Sequence, residues 1–250
     1  IITNTGNFKP NEANLKKKGL RVSYLINQHI TNYSKPSTAI RLFEKVIEPI
    51  LTYNCEVTMA YIPHTWSYDK FKSKIWEHGA EVNKVVSSFL RQVLGVHKKT
   101  SNTALLSETG KYPLIIKIYT LILKYRIRLN TSENILLKTA LQANERNQTA
   151  NKKNWLNITD YLMRYTEIQN ISTQNSCTNK ITKQFSKKLQ EKFIIWWKKQ
   201  AVRTGINKLD FYYTYKHTFM YESYLDNIPK HITIYTTRLR LSCHNLPIEV

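Results

Sequence analysis

The chemistry this chain offers most readily is the pairing of cations with phosphate. Lys117, Lys124 and Arg128 are spaced by seven and four residues. On an α-helix they line up on one side over roughly two to three turns, at about 1.5 Å rise per residue. Such a row is a ladder for a phosphate backbone or else a solvated helix face. Lys16, Lys17 and Lys18 form a second cluster with the same two readings. Lys98 and Lys99 follow His97 in a basic loop. Lys187, Lys188, Lys198, Lys199 and Arg203 accompany Phe185, Phe193, Trp196 and Trp197. Basic residues interleaved with aromatics have the composition of a nucleic-acid groove, where rings stack on bases and cations meet phosphates. The alternative is that the two tryptophans belong to a core.

Catalytic chemistry finds no such support. No two carboxylates stand at a spacing suited to acid–base or two-metal work. Glu56 reads as a carboxylate satisfying backbone N–H groups or a neighbouring base. Tyr224-Leu225-Asp226-Asn227 superficially matches a Tyr-X-Asp-Asp metal turn. That turn needs a strand–turn–strand and a second Asp, whereas this segment ends a predicted helix of large aromatics. Cys243-His244 cannot bind zinc as a pair, because adjacent side chains diverge and two further ligands are missing. A glycine-rich phosphate loop is absent, and no Ser/His/Asp set can be assigned from spacing. The site reading is therefore nucleic-acid-binding residues only, with no catalytic residue, no metal ligand and no cofactor.

Bulk properties agree. With 250 residues, 42% of them hydrophobic, the chain can bury a core in one or two domains. Six Gly and seven Pro leave few sites for the tight turns of an all-β fold. Lys and Arg outnumber Asp and Glu 38 to 17, a net charge of +21 with an isoelectric point near 9.8. So much like charge favours a polyanionic partner, with nucleic acid (RNA, DNA or hybrid duplex) first and a membrane surface second. A membrane span is not expected, since Lys117 and Lys124 interrupt the best apolar run. Three widely spaced cysteines (Cys55, Cys177, Cys243) read as reduced intracellular thiols. The start at Ile1, without a signal peptide, reads as an excised piece.

The elements that would position the cations are helices. Leu114, Ile115, Ile118, Leu121, Ile122, Tyr125 and Leu129 recur at helical spacing opposite the Lys117 row. Gly110 breaks what precedes, and Pro113 suits a first turn. Upstream, a helix is predicted from Asn11 through His29, and another after Lys35-Pro36-Ser37 with a stripe of Ile40, Phe43, Ile47 and Ile50 or Leu51. Pro49 should kink or shorten the latter. Asp69–Val96 reads as helical, with Phe71, Ile75, Val82, Val85, Val86 and Phe89 inward. Downstream come Ile135–Ala143, a polar connector 142–154, and a short helix from Trp155. A flexible boundary follows at 167–180, then a long basic helix Ile181–Arg203 and a helix over 207–227.

Four ordered blocks resemble the region after the polymerase core in reverse transcriptases of non-LTR (LINE-type) retrotransposons. Phe89-Leu90-Arg91-Gln92-Val93-Leu94-Gly95-Val96, then Thr100-Ser101-Asn102 and Glu108-Thr109-Gly110-Lys111-Tyr112-Pro113-Leu114, is similar to the family's K-x-x-L-G-V … T-x-N … E-L-G-R-Y-P-L. Thr109 stands for the family's Leu and Lys111 for its Arg. Lys124-Tyr125-Arg126-Ile127-Arg128-Leu129 matches K-Y-x-x-R-L. The run from Leu42 to Val57 resembles L-F-D-x-x-V-x-P-I-L-x-Y-G-C-E-V-W, with Asn54 in place of Gly; Asn tolerates positive φ, so that turn survives. Met59 or Ala60 falls near an expected Trp-Gly. Lys208-Leu209 to Leu225, with Glu222 and Tyr224 in place, resembles K-L-x-x-Y-x-x-x-K-x-x-F-x-x-E-x-Y-L. Leu239-Arg240-Leu241-Ser242-Cys243-His244 to Glu249 is similar to L-R-L-S-x-H-x-L-x-I-E.

The resemblance implies a mainly α fold: a helical thumb-like bundle followed by a helical linker or wrist-like region. Its parts would be thumb-like helices at 1–66, a central helical region at 67–166, a flexible connector at 167–180 and a basic aromatic linker at 181–250. It implies the non-catalytic, nucleic-acid-gripping portion of an RNA-directed DNA polymerase, holding template–primer and RNA by phosphate contacts. Magnesium chemistry would belong to a palm and fingers that this chain lacks, and the parent element would work in nucleus and cytoplasm. A stand-alone helical nucleic-acid-binding module and a degenerate retroelement fragment without function are the alternatives. A helical protein-binding scaffold is a third, against which the +21 charge counts.

Overall fold

The computed structural model describes residues 8–29, 35–60, 66–77, 80–149, 155–168, 178–201 and 210–242. The protein is all-α. Its helices run as α1 (Lys9–His29), α2 (Pro36–Leu42), a π-helical turn (Phe43–Ile47), α3 (Glu48–Leu51), α4 (Cys55–Thr58), α5 (Tyr68–Lys74), α6 (Ala80–Leu94) and α7 (Asn102–Glu108). After these come α8 (Leu114–Thr131), α9 (Ile135–Thr149), α10 (Trp155–Thr166), α11 (Thr178–Ala201), α12 (Asp210–Tyr215), α13 (Tyr224–Asn227) and α14 (Lys230–Arg240). Among the described residues there is no sheet, only an isolated antiparallel bridge between Thr109 and Tyr221. No described helix is long and apolar enough to cross a membrane.

Contacts group the chain into two compact units, one of residues 1–13, 52–80 and 114–193, the other of 14–51, 81–113 and 194–250. In the first, α8 is the central helix, with α4, α9 and α10 packed on it. Leu114, Ile115, Ile116, Ile118, Tyr119, Ile122, Leu123, Ile127 and Leu129 of α8 are all buried. Each such side chain contributes about 1.5–3 kcal/mol when removed from water. Phe71 packs on Tyr119 and Tyr161, and Trp76 meets Phe193 edge-on at 5.2 Å. The Tyr119 hydroxyl donates to the Ile75 carbonyl at 3.1 Å, so no polar atom of that ring is stranded. Ser67 caps α5 by accepting from the Lys70 N–H, and Asn134 caps α9 by accepting from Leu136 and Leu137.

In the second unit, Phe43, Ile47, Leu51, Val85, Phe89, Leu90 and Leu94 form the core, with the Phe43 and Phe89 rings 4.8 Å apart. Two helix ends are closed in the same way. At Gly95 (φ 65°), the Val96 N–H reaches the Arg91 carbonyl and the Gly95 N–H that of Gln92. At Gly110 (φ 60°), Lys111 and Gly110 bond back to Leu106 and Ser107. These are Schellman closures, which need a left-handed residue just past the helix.

Several sequence expectations hold in detail. Asn54 sits at φ 55°, as its turn requires. Phe71, Ile75, Val82, Val85, Val86 and Phe89 are all buried, and Leu51 rather than Ile50 completes the α2–α3 stripe. Pro49 leaves its mark one turn earlier, as the π-helical turn, where the Glu48 N–H bonds to Phe43. A wider turn relieves the clash between a proline ring and the carbonyl four residues back.

Others are corrected. The helix expected over Asp69–Val96 is two, α5 and α6, with turn residues at 75–77 between them. The polar stretch beyond Ala143 continues as helix α9 to Thr149, since its Asn, Gln, Glu and Arg cost a helix little. The segment expected as a helix to Asn227 breaks after Tyr215 and resumes at Tyr224. Tyr125 is half-buried, and the α8 core face is wider than its heptad pattern, taking in Ile116, Tyr119, Leu123 and Ile127. Arg203, Cys177, Cys243 and His244 lie outside the described residues.

Candidate nucleic-acid interface

In the first unit, α8 buries nine of its eighteen residues and leaves Lys117, Lys124, Arg128 and Asn130 exposed. The three cations project from one side because the residues between them are committed to packing. Arg126, one residue away in sequence from Ile127, is instead tied to Thr159 and Asp160. Lys117 stands near enough to the Cys55 thiol for its charge to act on it. On α11, Lys187 is exposed, while Lys188 reaches the Glu167 carbonyl at 3.5 Å and Lys192 pairs with the Glu167 carboxylate at 2.7 Å. Hydrogen bonding to Lys192 holds the Glu167 carboxyl below its usual range.

In the second unit, Lys17 and Lys18 of α1 are exposed, and Lys16 is half-buried in a 2.7 Å pair with Glu81. The Lys16 hydrogen bond, then that of Lys84, lowers the Glu81 pKa. Lys98 and Lys99 sit exposed in the turn after α6, and Lys198 and Lys199 are exposed near the end of α11. The aromatic half of the α11 reading resolves differently for the two tryptophans. Trp197 is 1% exposed and lies edge-on to Tyr213 and Phe219 at 6.0 and 5.6 Å, so its role is in the core. Trp196 is half-buried.

Sequence reasoning missed a buried charge cluster in this second unit. Glu108 is fully buried and serves three partners. Arg240 Nε donates to its Oε1 at 2.6 Å, the Tyr224 hydroxyl to Oε1 at 2.6 Å, and the Tyr212 hydroxyl to Oε2 at 3.0 Å. Glu222 stands 3.6 Å from Arg240 and also pairs with the buried Lys216. Burial works against the Arg240 charge, but the Glu108 carboxylate outweighs it and raises the Arg240 pKa. Burial, then the Glu108 charge, pushes the Tyr212 and Tyr224 phenols up. Next to this cluster, Lys111 is buried between Glu48 at 2.5 Å and Glu44 at 3.0 Å. Gly110 lets the Tyr221 backbone come close: a Cβ there would meet the Tyr221 nitrogen at 2.4 Å.

These contacts join residues from separate sequence blocks. Glu44 and Glu48 come from the Leu42–Val57 run, Glu108 and Lys111 from the Glu108–Leu114 run, Glu222 and Tyr224 from the Lys208–Leu225 run, and Arg240 from the C-terminal run. Complementary charges spread over four such blocks were the signal that could have revealed the cluster.

Asp226, the lone carboxylate of the Tyr-X-Asp-Asp-like segment, accepts from the Ser37 N–H at 3.2 Å and the Tyr221 hydroxyl at 2.8 Å. Burial pushes its pKa up, but those hydrogen bonds win and hold it low. Among the described residues no group of three or more His, Cys, Asp or Glu could hold a metal ion. No protein-family model, no curated protein and no solved structure matches the chain.

Proposed function

We propose that this chain is the nucleic-acid-gripping, non-catalytic portion of a non-LTR-type RNA-directed DNA polymerase, a thumb-like helical bundle followed by a wrist-like helical linker. It holds template–primer and RNA through phosphate contacts, and the metal chemistry belongs to palm and fingers supplied elsewhere. The observation that carries the grip is the exposed row Lys117, Lys124 and Arg128 on one side of a helix whose other side is buried, in a chain of net charge +21. Support for the family reading comes from the four resembling blocks, whose charged residues satisfy one another around Glu108 and Lys111.

The test is a titration against duplex DNA, RNA–DNA hybrid and single strands at several salt concentrations. Each phosphate contact contributes a log–log salt slope of roughly −0.9 on duplex DNA. Changing Lys117, Lys124 and Arg128 together to Gln should flatten the slope by about two to three units. Lys45, Lys70 and Lys72, equally exposed, serve as a comparison of equal charge. Equal losses from the two triple variants would mean that bulk charge alone drives binding and that α8 is not the grip.

A further inference from the structure

We infer that a recess in the second unit takes an unpaired base of a single-stranded nucleic acid, with α1 leading the strand's phosphates toward it; this rests on the nucleic-acid reading above. The recess has a volume of about 300 Å³ and is lined by Tyr24, Asn27 and Gln28 of α1, Gln92 of α6 and Lys230 of α14. Pro36, Ala39 and Val93 supply its apolar part. Its volume is at the small end for ligand sites, enough for one ring system rather than a large cofactor.

The lining carries the three kinds of contact that an unpaired base uses. Tyr24 is 61% exposed, and its ring offers a flat apolar face against which a base can stack. The amides supply an edge. Asn27 Nδ2 donates to Gln92 Oε1, which fixes the two side chains relative to each other. Asn27 thereby keeps a carbonyl acceptor and Gln92 an amino donor, and Gln28 adds another of each. A donor beside an acceptor is what the hydrogen-bonding edge of a base requires. Lys230 supplies a cation at the rim.

The approach is also built. Lys17, Arg21, Tyr24 and Gln28 are spaced by four, three and four residues and are all exposed, so they form one stripe of α1 about 16 Å long. Two cations are followed by the ring and then the amide, the order expected for a strand whose backbone runs along the helix and whose base turns in. A duplex has no unpaired base to offer, so the site favours single strands.

The experiment compares a short oligouridylate with a strand of the same length and phosphates but no bases. Tyr24→Ala should weaken the base-bearing strand roughly tenfold, the effect of removing one stacking platform, and leave the abasic strand unchanged. Tyr24→Phe should stay close to wild type on both. The salt slope of Tyr24→Ala should equal that of wild type, because no charge is lost. Changing Lys17 and Arg21 together to Gln should flatten the slope on both strands by about 1.4 units. Tyr24 is exposed, so circular dichroism should show the helix content of wild type in every variant. If Tyr24→Ala binds oligouridylate as wild type does, or weakens the abasic strand equally, the base site is wrong while the phosphate grip stands. Wild-type binding of a free nucleoside monophosphate as tight as that of oligouridylate would overturn the strand-borne part. Absence of binding to either strand would remove the single-strand site, while the phosphate grip stands or falls on the duplex and hybrid titrations.

Discussion

Glu108 shows what a buried carboxylate needs around it. A carboxylate with 0% exposure survives in the interior only if its charge and lone pairs are met, and Arg240, Tyr224 and Tyr212 meet them. Glu108→Gln keeps the shape but removes the charge that Arg240 faces. It should cost about 3 kcal/mol, the scale for breaking a buried pair from one side, read as a lower urea midpoint with an unchanged slope. A variant as stable as wild type would show that Glu222 alone suffices for Arg240. Acid–base behaviour gives a second prediction. Burial, then the Glu56 charge, pushes the Cys55 thiol from 9.0 up to about 12, and burial, then the Tyr68 charge, takes the Tyr165 phenol from 10.0 to about 12. Both values are higher in the folded chain than in the unfolded one, so the folded state keeps protons that the unfolded state has released. Stability from these groups is whole below about pH 9 and is lost as pH rises toward about 12. Thermal melting followed from neutral to alkaline pH should show that decline, with the Cys55 peptide resisting alkylation of the native protein below it.

Among the elements, α7 and α8 depend on the turn that joins them. Gly110 closes α7 at φ 60° and lies against the Tyr221 backbone, where a Cβ would come within 2.4 Å of a nitrogen that belongs to a bridge. Gly110→Ala therefore meets both a left-handed conformation, costing about 1–2 kcal/mol, and a clash with main chain that no rotamer relieves. A fall in stability of at least about 2 kcal/mol is expected from chemical denaturation. At Gly95 a Cβ would meet the Ile234 side chain instead, at 2.9 Å, so Gly95→Ala should cost less. Equal losses would mean that φ alone matters at both positions. α8 itself combines two features of its sequence: its apolar residues pack on α4, α9 and α10, while Lys117, Lys124 and Arg128 stay exposed.

At the scale of the whole molecule, the +21 charge dominates. Among the described residues no cluster of potential ligands gathers for a metal, and Asp226 Oδ1 accepts from both the Ser37 N–H and the Tyr221 hydroxyl. Incubated with a primed template, nucleotides and Mg²⁺, this chain should incorporate no nucleotide. Incorporation above a protein-free control that survives repurification would sink the non-catalytic reading.

Sequence alone determined the helical class, the start of α8 near Pro113, the left-handed turn at Asn54 and the inward residues of α5 and α6. These follow from local rules: apolar spacing, backbone freedom at Gly and Asn, and the missing N–H of proline. It also supplied the exposed row on α8, because charged residues seldom enter a core unpaired. The split between α5 and α6, the length of α9 and the break after Tyr215 were not legible, since propensities there differ too little to outweigh tertiary contacts. Glu108, Lys111 and Lys216 look like surface residues by type. Only the tertiary structure, by placing Arg240, Tyr224, Glu48 and Glu222 beside them, makes their burial affordable and turns scattered motif residues into two buried charge clusters.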